Sequence, residues 1–150
     1  MKSVQVPPNS SLLLIKPHSV KSFAAGEILR TVSEQGFSFR GFYSIHLTLP
    51  YAEELFDSYR NIYSNYSAVI EHLCSSASLA VIVVGPGYDT VSQLRDIVGP
   101  LDPQLAKAIR PKSIRALYGE SLIKNAVHCT DLPEDGEIEC KYFFESLANL

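Results

Sequence analysis

The chain has 150 residues, of which 46% are apolar, enough for one domain with a substantial core and too many for a disordered segment. Its formal net charge is −3, which excludes a general basic field for nucleic acid or an anionic membrane. Three cysteines, Cys74, Cys129 and Cys140, are odd in number and lack C-x-x-C spacing, which argues against a disulfide framework or structural zinc and fits a reducing, cytoplasmic setting.

Residues 1–10, MKSVQVPPNS, have no apolar h-region and read as a flexible lead-in to one domain over 11–150. Ser11 to Ile15 is an apolar strand that Lys16-Pro17 closes into a loop. Ile28, Leu29 and Val32 stand at helical spacing, and Gly36 is placed to cap that helix. From Phe37 to Leu47 apolar and polar residues alternate, which predicts a half-buried strand at a sheet edge. Ala52, Leu55, Phe56 and Tyr59, then Tyr66, Val69, Ile70 and Leu73, predict two helices parted near Asn61 to Asn65. Leu79 to Val84 is a buried central strand and far too short to span a bilayer. Gly85-Pro86-Gly87 follows it, but Thr90 stands where a dinucleotide-binding turn needs its third glycine, so this is a plain strand-to-helix turn. Val91, Leu94 and Val98 predict a helix. Residues 101–118 are irregular apart from a helical piece at Leu105 to Ile109. Ala126-Val127 is a short strand. Asp131 and Glu134 have the spacing of a capping box for a last helix through Ile138 and Tyr142. The order implies a split βαβ, ferredoxin-like α+β sheet with helices on one face.

One polar cluster stands out, Asn125-Ala126-Val127-His128-Cys129-Thr130-Asp131. A neutral imidazole, with an unperturbed pKa of about 6.5, is a good nucleophile when its second nitrogen is held. Thr130 and Glu139 are the candidate holders of His128, because the turn at Leu132-Pro133 can fold the last helix back. On residue types alone, His128 is either structural or catalytic. Lys16, Arg95 and Arg115 are candidate cations for a polyphosphate, with arginine forks suited to bidentate contact. Each, taken singly, also fits a solvated surface charge.

These residues fall into a known pattern. The motifs are Leu14-Ile15-Lys16-Pro17, Gly26-Glu27-Ile28-Leu29, Arg95 before Gly99-Pro100, Asp102-Pro103, Pro111-Lys112-Ser113-Ile114-Arg115 and Asn125-Ala126-Val127-His128. From about Ser11 to Phe144 the chain resembles the nucleoside diphosphate kinases. It looks most like the second kinase-like domain of the two-domain flagellar members.

The resemblance implies a ferredoxin-like βαββαβ domain whose four-stranded antiparallel sheet is covered by helices. It implies ping-pong transfer of the γ-phosphate of ATP, or another nucleoside triphosphate, to a nucleoside diphosphate through phosphorylated His128. In that reading Glu139 holds the imidazole with support from Thr130. Lys16 and Asn125 contact sugar and phosphates, Arg95 and Arg115 clamp the phosphates, and Mg²⁺ is carried by the nucleotide rather than by a protein metal site. Tyr66 stacks on the base, with Asn65 the alternative under a one-residue shift. A homo-oligomer is implied, a dimer at least and up to a hexamer.

Several positions depart from the family pattern. His18 stands where Asp is common, and Phe56 where a tyrosine hydroxyl is usual. Leu101 replaces a phosphate-bonding threonine at the nucleotide site, a loss of about 1 kcal/mol. The loop carrying Arg115 is lengthened around Gln104–Arg110. These changes support an alternative: a low-activity nucleotide-binding or scaffold module of a flagellar or cytoskeletal assembly.

Overall fold

A computed structural model describes residues 4–150. Its two central strands, β1 (Ser10–Ile15) and β3 (Ser78–Val84), pair antiparallel with Leu12 opposite Ile82. Such strands are covered on both faces, so their sequences are continuous apolar runs. β2 (Ser38–Ile45) joins the outer side of β3, and β4 (Val127–Cys129) joins β1. The order β2-β3-β1-β4, antiparallel throughout, is the expected ferredoxin-like sheet.

Helices cover both faces of that sheet, not one. Alternation along β1 and β3 turns apolar side chains both ways, and each set needs cover. Leu13, Ile15, Val81 and Val83 pack against α2 (Ala25–Glu34), α5 (Thr90–Val98) and α7 (Ile114–Tyr118) through Ile28, Leu94 and Ile114. Leu12, Leu14, Ala80 and Ile82 pack against α3 (Leu49–Leu55), α4 (Tyr66–Leu73) and the C-terminal Phe143 and Phe144.

β2 departs from its apparent simple alternation. Phe39 pairs with Val83 and Gly41 with Ile82, so Arg40 is an extra, bulged residue. The bulge moves Phe39 to one core and Tyr43 and Ile45 to the other. A period of two in the sequence therefore conceals a change of face.

Other elements also differ from expectation. Pro17 opens a helix, α1 (Pro17–Lys21), where a loop was predicted, because proline fits the first helical position. The lead-in is tied down from Val6 onward. Val6 packs on the core, and Asn9 bonds Gly87 and Thr90; residues 1–3 lie outside the described residues. The irregular stretch holds α6 (Pro103–Ile109), capped by Asp102, and α7, capped by Ser113. Asp131 makes no capping box; its carboxylate accepts from the Tyr59 hydroxyl instead. A 3₁₀ turn, Pro133–Asp135, leads into α8 (Gly136–Lys141). Among the described residues no helix is long and apolar enough to cross a membrane.

α8 lies directly on β1. A Cβ on Gly136 would stand 2.1 Å from the Ser10 carbonyl oxygen, a backbone atom with little room to yield. Gly136→Ala must therefore lift the helix that carries Glu139. We expect a loss of about 1–3 kcal/mol by urea denaturation, with the Glu139 contact described below loosened in the same variant.

Candidate active site

β4 presents His128 by simple alternation. Val127 and Cys129 enter one core, while His128, opposite Leu14, points to the other face. There α8 brings Glu139 against it, with Glu139 Oε1 2.6 Å from His128 Nε2. The carboxylate accepts the Nε2–H, which fixes the tautomer with its lone pair on Nδ1. Nδ1 has no hydrogen-bond partner among the described residues. The ring is wedged by Phe56, 5.1 Å away between centroids, and Tyr59, 6.0 Å away and nearly perpendicular. It borders an open pocket of about 540 Å³ lined also by Arg95, Leu101, Asp131, Leu55 and Ile62. The arrangement is a held imidazole with one free nitrogen beside a cleft, as nucleophilic catalysis requires.

Lys16 and Asn125 come together, but under cover. Lys16 Nζ donates to Asn125 Oδ1 at 2.7 Å, and the two residues are 1% and 0% exposed. Asn125 Nδ2 donates to the Leu101 carbonyl and the Tyr63 hydroxyl. The ammonium also lies 5.5 Å from the Phe56 ring centre, so Phe56 contacts both Lys16 and His128. Burial, with a smaller contribution from Arg115, pushes the Lys16 pKa down to about 7.

A second pocket of about 480 Å³ shares Arg95, Leu101 and Asp131 with the first, and adds Arg110 and Arg115. Arg95 Nη1 donates to the Asp131 carbonyl. Arg115 is buried and donates to the carbonyls of Gly99 and Val127, while its Nε–H is buried with no partner among the described residues. Leu101 forms the apolar border between the two pockets.

Two expected roles do not fit this geometry. The Thr130 hydroxyl accepts from the Leu12 N–H and makes no hydrogen bond to His128 or Glu139, because an open backbone donor beside the end of β4 takes it. Tyr66 lies under Arg60 in a separate pocket that shares no lining residue with the His128 cleft. Asn65 caps α4. The sequence pattern did not mark Arg110 as a cleft residue or Tyr63 as a partner of Asn125, and Asp131 was read as a helix cap within the polar cluster. Tyr59 was read as core only, although its spacing from Phe56 places both on one face. Arg110 lay in the lengthened loop, where no periodicity marked it. The expected edge is present: β2 is terminal in the sheet and Phe42 on it is 53% exposed. The cysteines are free, and Cys129 is buried.

A sheet of this order with a carboxylate-held histidine beside an arginine-bordered cleft defines a ferredoxin-like α+β domain with a candidate nucleophile. The nucleoside diphosphate kinase family model matches residues 9–148, and the chain belongs to that family. It is 34% identical to mouse nucleoside diphosphate kinase homolog 7 over 94% of this chain, but spans 35% of that protein. Mouse thioredoxin domain-containing protein 3 is 35% identical over 93% of this chain, which spans 23% of it. The chain thus covers about a third or less of these longer relatives, in keeping with its likeness to one domain of a larger member. A crystal structure of the Aquifex aeolicus nucleoside diphosphate kinase superposes with a TM-score of 0.83 at 29% identity, covering 92% of this chain and 96% of that one.

The buried ammonium makes stability depend on pH. Lys16 ionises near pH 7 in the fold and near 10.5 when unfolded. Between those values the unfolded chain binds more protons, so stability rises with pH; below pH 7 the full cost of the buried charge remains. In urea titrations from pH 6 to 9, Lys16→Met should lose this rise and be more stable than wild type at pH 6. Asn125→Ala, which strips the ammonium of its acceptor, should lose about 2–3 kcal/mol at pH 6.

Proposed function

We propose that this domain is a nucleoside diphosphate kinase working through His128. The observation that carries the reading is the Glu139 contact at Nε2, 2.6 Å long, which leaves Nδ1 free beside the arginine-bordered cleft. In the first half-reaction Nδ1 attacks the γ-phosphorus of ATP. The P–N bond forms, the bond to the bridging β,γ-oxygen breaks, and the nucleoside diphosphate leaves. In the second, a β-phosphate oxygen of the incoming diphosphate attacks the same phosphorus, the P–N bond breaks, and the imidazole returns to neutral. One site then serves both nucleotides, which is the advantage of a covalent intermediate.

Glu139 stabilises the ring as positive charge develops on it. Arg95 and Arg115 would hold the phosphates, and Arg115 keeps an unused buried donor suited to that task. Mg²⁺, carried by the nucleotide rather than by a protein site, would offset charge on the phosphates that Arg95 and Arg115 hold. Lys16 and Asn125 would meet the γ-phosphate and sugar once Phe56 and Leu101 give way. Leu55 and Ile62 offer the base an apolar surface. The free β2 edge with Phe42 supports self-association, a dimer at least.

A second reading has its own support. Lys16 and Asn125 are sealed beneath Leu101, Tyr63 and Phe56, so a nucleotide must displace well-packed side chains. That favours a low-turnover nucleotide-binding or scaffold module, in a cytoplasmic flagellar or cytoskeletal assembly.

γ-Labelled ATP separates the readings. The kinase reading predicts acid-labile, alkali-stable label on the wild type, none on His128→Ala, and labelling slowed about 10- to 100-fold in Glu139→Gln, which misorients the ring. Label with phosphate exchange near background supports the scaffold reading, and no label on the wild type removes the kinase reading.

A further inference from the structure

Ala126 is a backbone oddity next to the candidate nucleophile. Its φ is +77°, a region that non-glycine residues rarely enter. The Val127 N–H bonds back to the Asn125 carbonyl at 3.1 Å, closing a three-residue γ-turn with Ala126 at its centre. A γ-turn with positive central φ is rare and strained. The same turn fixes the directions in which Asn125 and His128 leave it. Its Ala126 carbonyl accepts from the Lys16 N–H at 3.0 Å. Its Ala126 N–H needs an acceptor, and the one it has is a side chain: His18 Nε2 at 3.1 Å.

That contact dictates a direction of hydrogen bonding. A His18 nitrogen that accepts must carry a lone pair, so the His18 proton resides on Nδ1. His18 Nδ1 lies 2.9 Å from His72 Nε2, to which it donates, and His72 keeps its own proton on Nδ1. Neither imidazole of the relay can gain a proton without breaking it. A proton on His18 Nε2 sets two N–H groups against each other at Ala126. A proton on His72 Nε2 does the same at His18 Nδ1. His72 sits on α4, so the relay also links the strained turn to the helical hairpin that supplies Phe56, Tyr59 and Tyr63.

We propose that His18, held in its Nδ1–H tautomer by His72, is a positioning residue that keeps the Asn125–His128 turn in its strained, reactive arrangement. The role rests on the phosphotransfer reading of His128. The surroundings favour the neutral relay. Burial first, then the partner imidazole and Lys16 and Lys124, push His18 down to about 3. Burial, then Lys16, Lys124 and Lys21, push His72 down to about 4. The charges acting on the pair are all positive, from the end of β1, from α1 and from the segment before β4.

The test uses the whole chain labelled with ¹⁵N-histidine. Long-range ¹H–¹⁵N correlation on the wild type should show His18 Nε2 unprotonated at pH 7; a protonated Nε2 overturns the proposal without any mutation. His18→Leu keeps the bulk and removes the acceptor. It should raise hydrogen exchange at the Ala126 amide and slow labelling of His128 about 10- to 100-fold. His18→Gln returns an acceptor near the Nε2 position and should restore most of both. Unchanged exchange at Ala126 in His18→Leu overturns the proposal, as does faster exchange with undiminished labelling. If the wild type takes no label, the phosphotransfer reading falls, while tautomer and exchange still decide whether His18 holds the turn.

Discussion

The hydrogen bond between His128 and Glu139 joins the last strand of the sheet to the α8 helix, and the chemistry proposed for the cleft depends on it. Each half is placed by packing elsewhere. His128 owes its direction to the pairing of β4 with β1, where alternation sends its neighbours into the opposite core. Glu139 owes its reach to Gly136, whose missing side chain lets α8 rest on the Ser10 carbonyl. The core sets the 2.6 Å contact before any ligand arrives. Such advance positioning is what makes a held imidazole useful, since no reorganisation is left for the moment of reaction.

Around that contact the domain keeps groups that burial alone would not favour. Lys16 buries its amine beside one neutral acceptor, Asn125. Arg115 donates once from each Nη, to the Gly99 and Val127 carbonyls, and leaves its Nε–H unmet among the described residues. Ala126 holds a positive φ. Buried unpaired donors and strained residues cost stability, and they gather at sites where a ligand or a reaction uses them. Three such features lie within a few residues of His128 or in direct hydrogen-bond contact with that segment. Phe56, touching both Lys16 and His128, makes the cleft more closed than its polar residues alone require.

Much of the fold was legible because β1 and β3 are continuous apolar runs and the helices carry clear 3.6-residue patterns. The His128–Glu139 pair was legible because only a short turn separates them. What was hidden had physical causes. The β2 bulge preserves a period of two while changing faces. α7 is only five residues long, too short for a periodic signal, although Ser113 at its start was a usable capping cue. The separation of Tyr66 from the His128 cleft was hidden because helical spacing shows which residues share a face, not which cavity that face meets. Thr130 was misassigned because the nearest open donor, the Leu12 N–H, belongs to another strand. His18 registered only as a departure from a family pattern; its bond to Ala126 spans 108 residues of chain.

In the proposed mechanism Glu139 occupies one ring nitrogen so that the other carries the phosphoryl group. The most direct measurement is ³¹P–¹⁵N NMR on ¹⁵N-histidine-labelled protein after brief exposure to ATP. A single phosphohistidine is expected, at His128, coupled through Nδ1. Phosphorylation at Nε2, or on a different histidine, would contradict it.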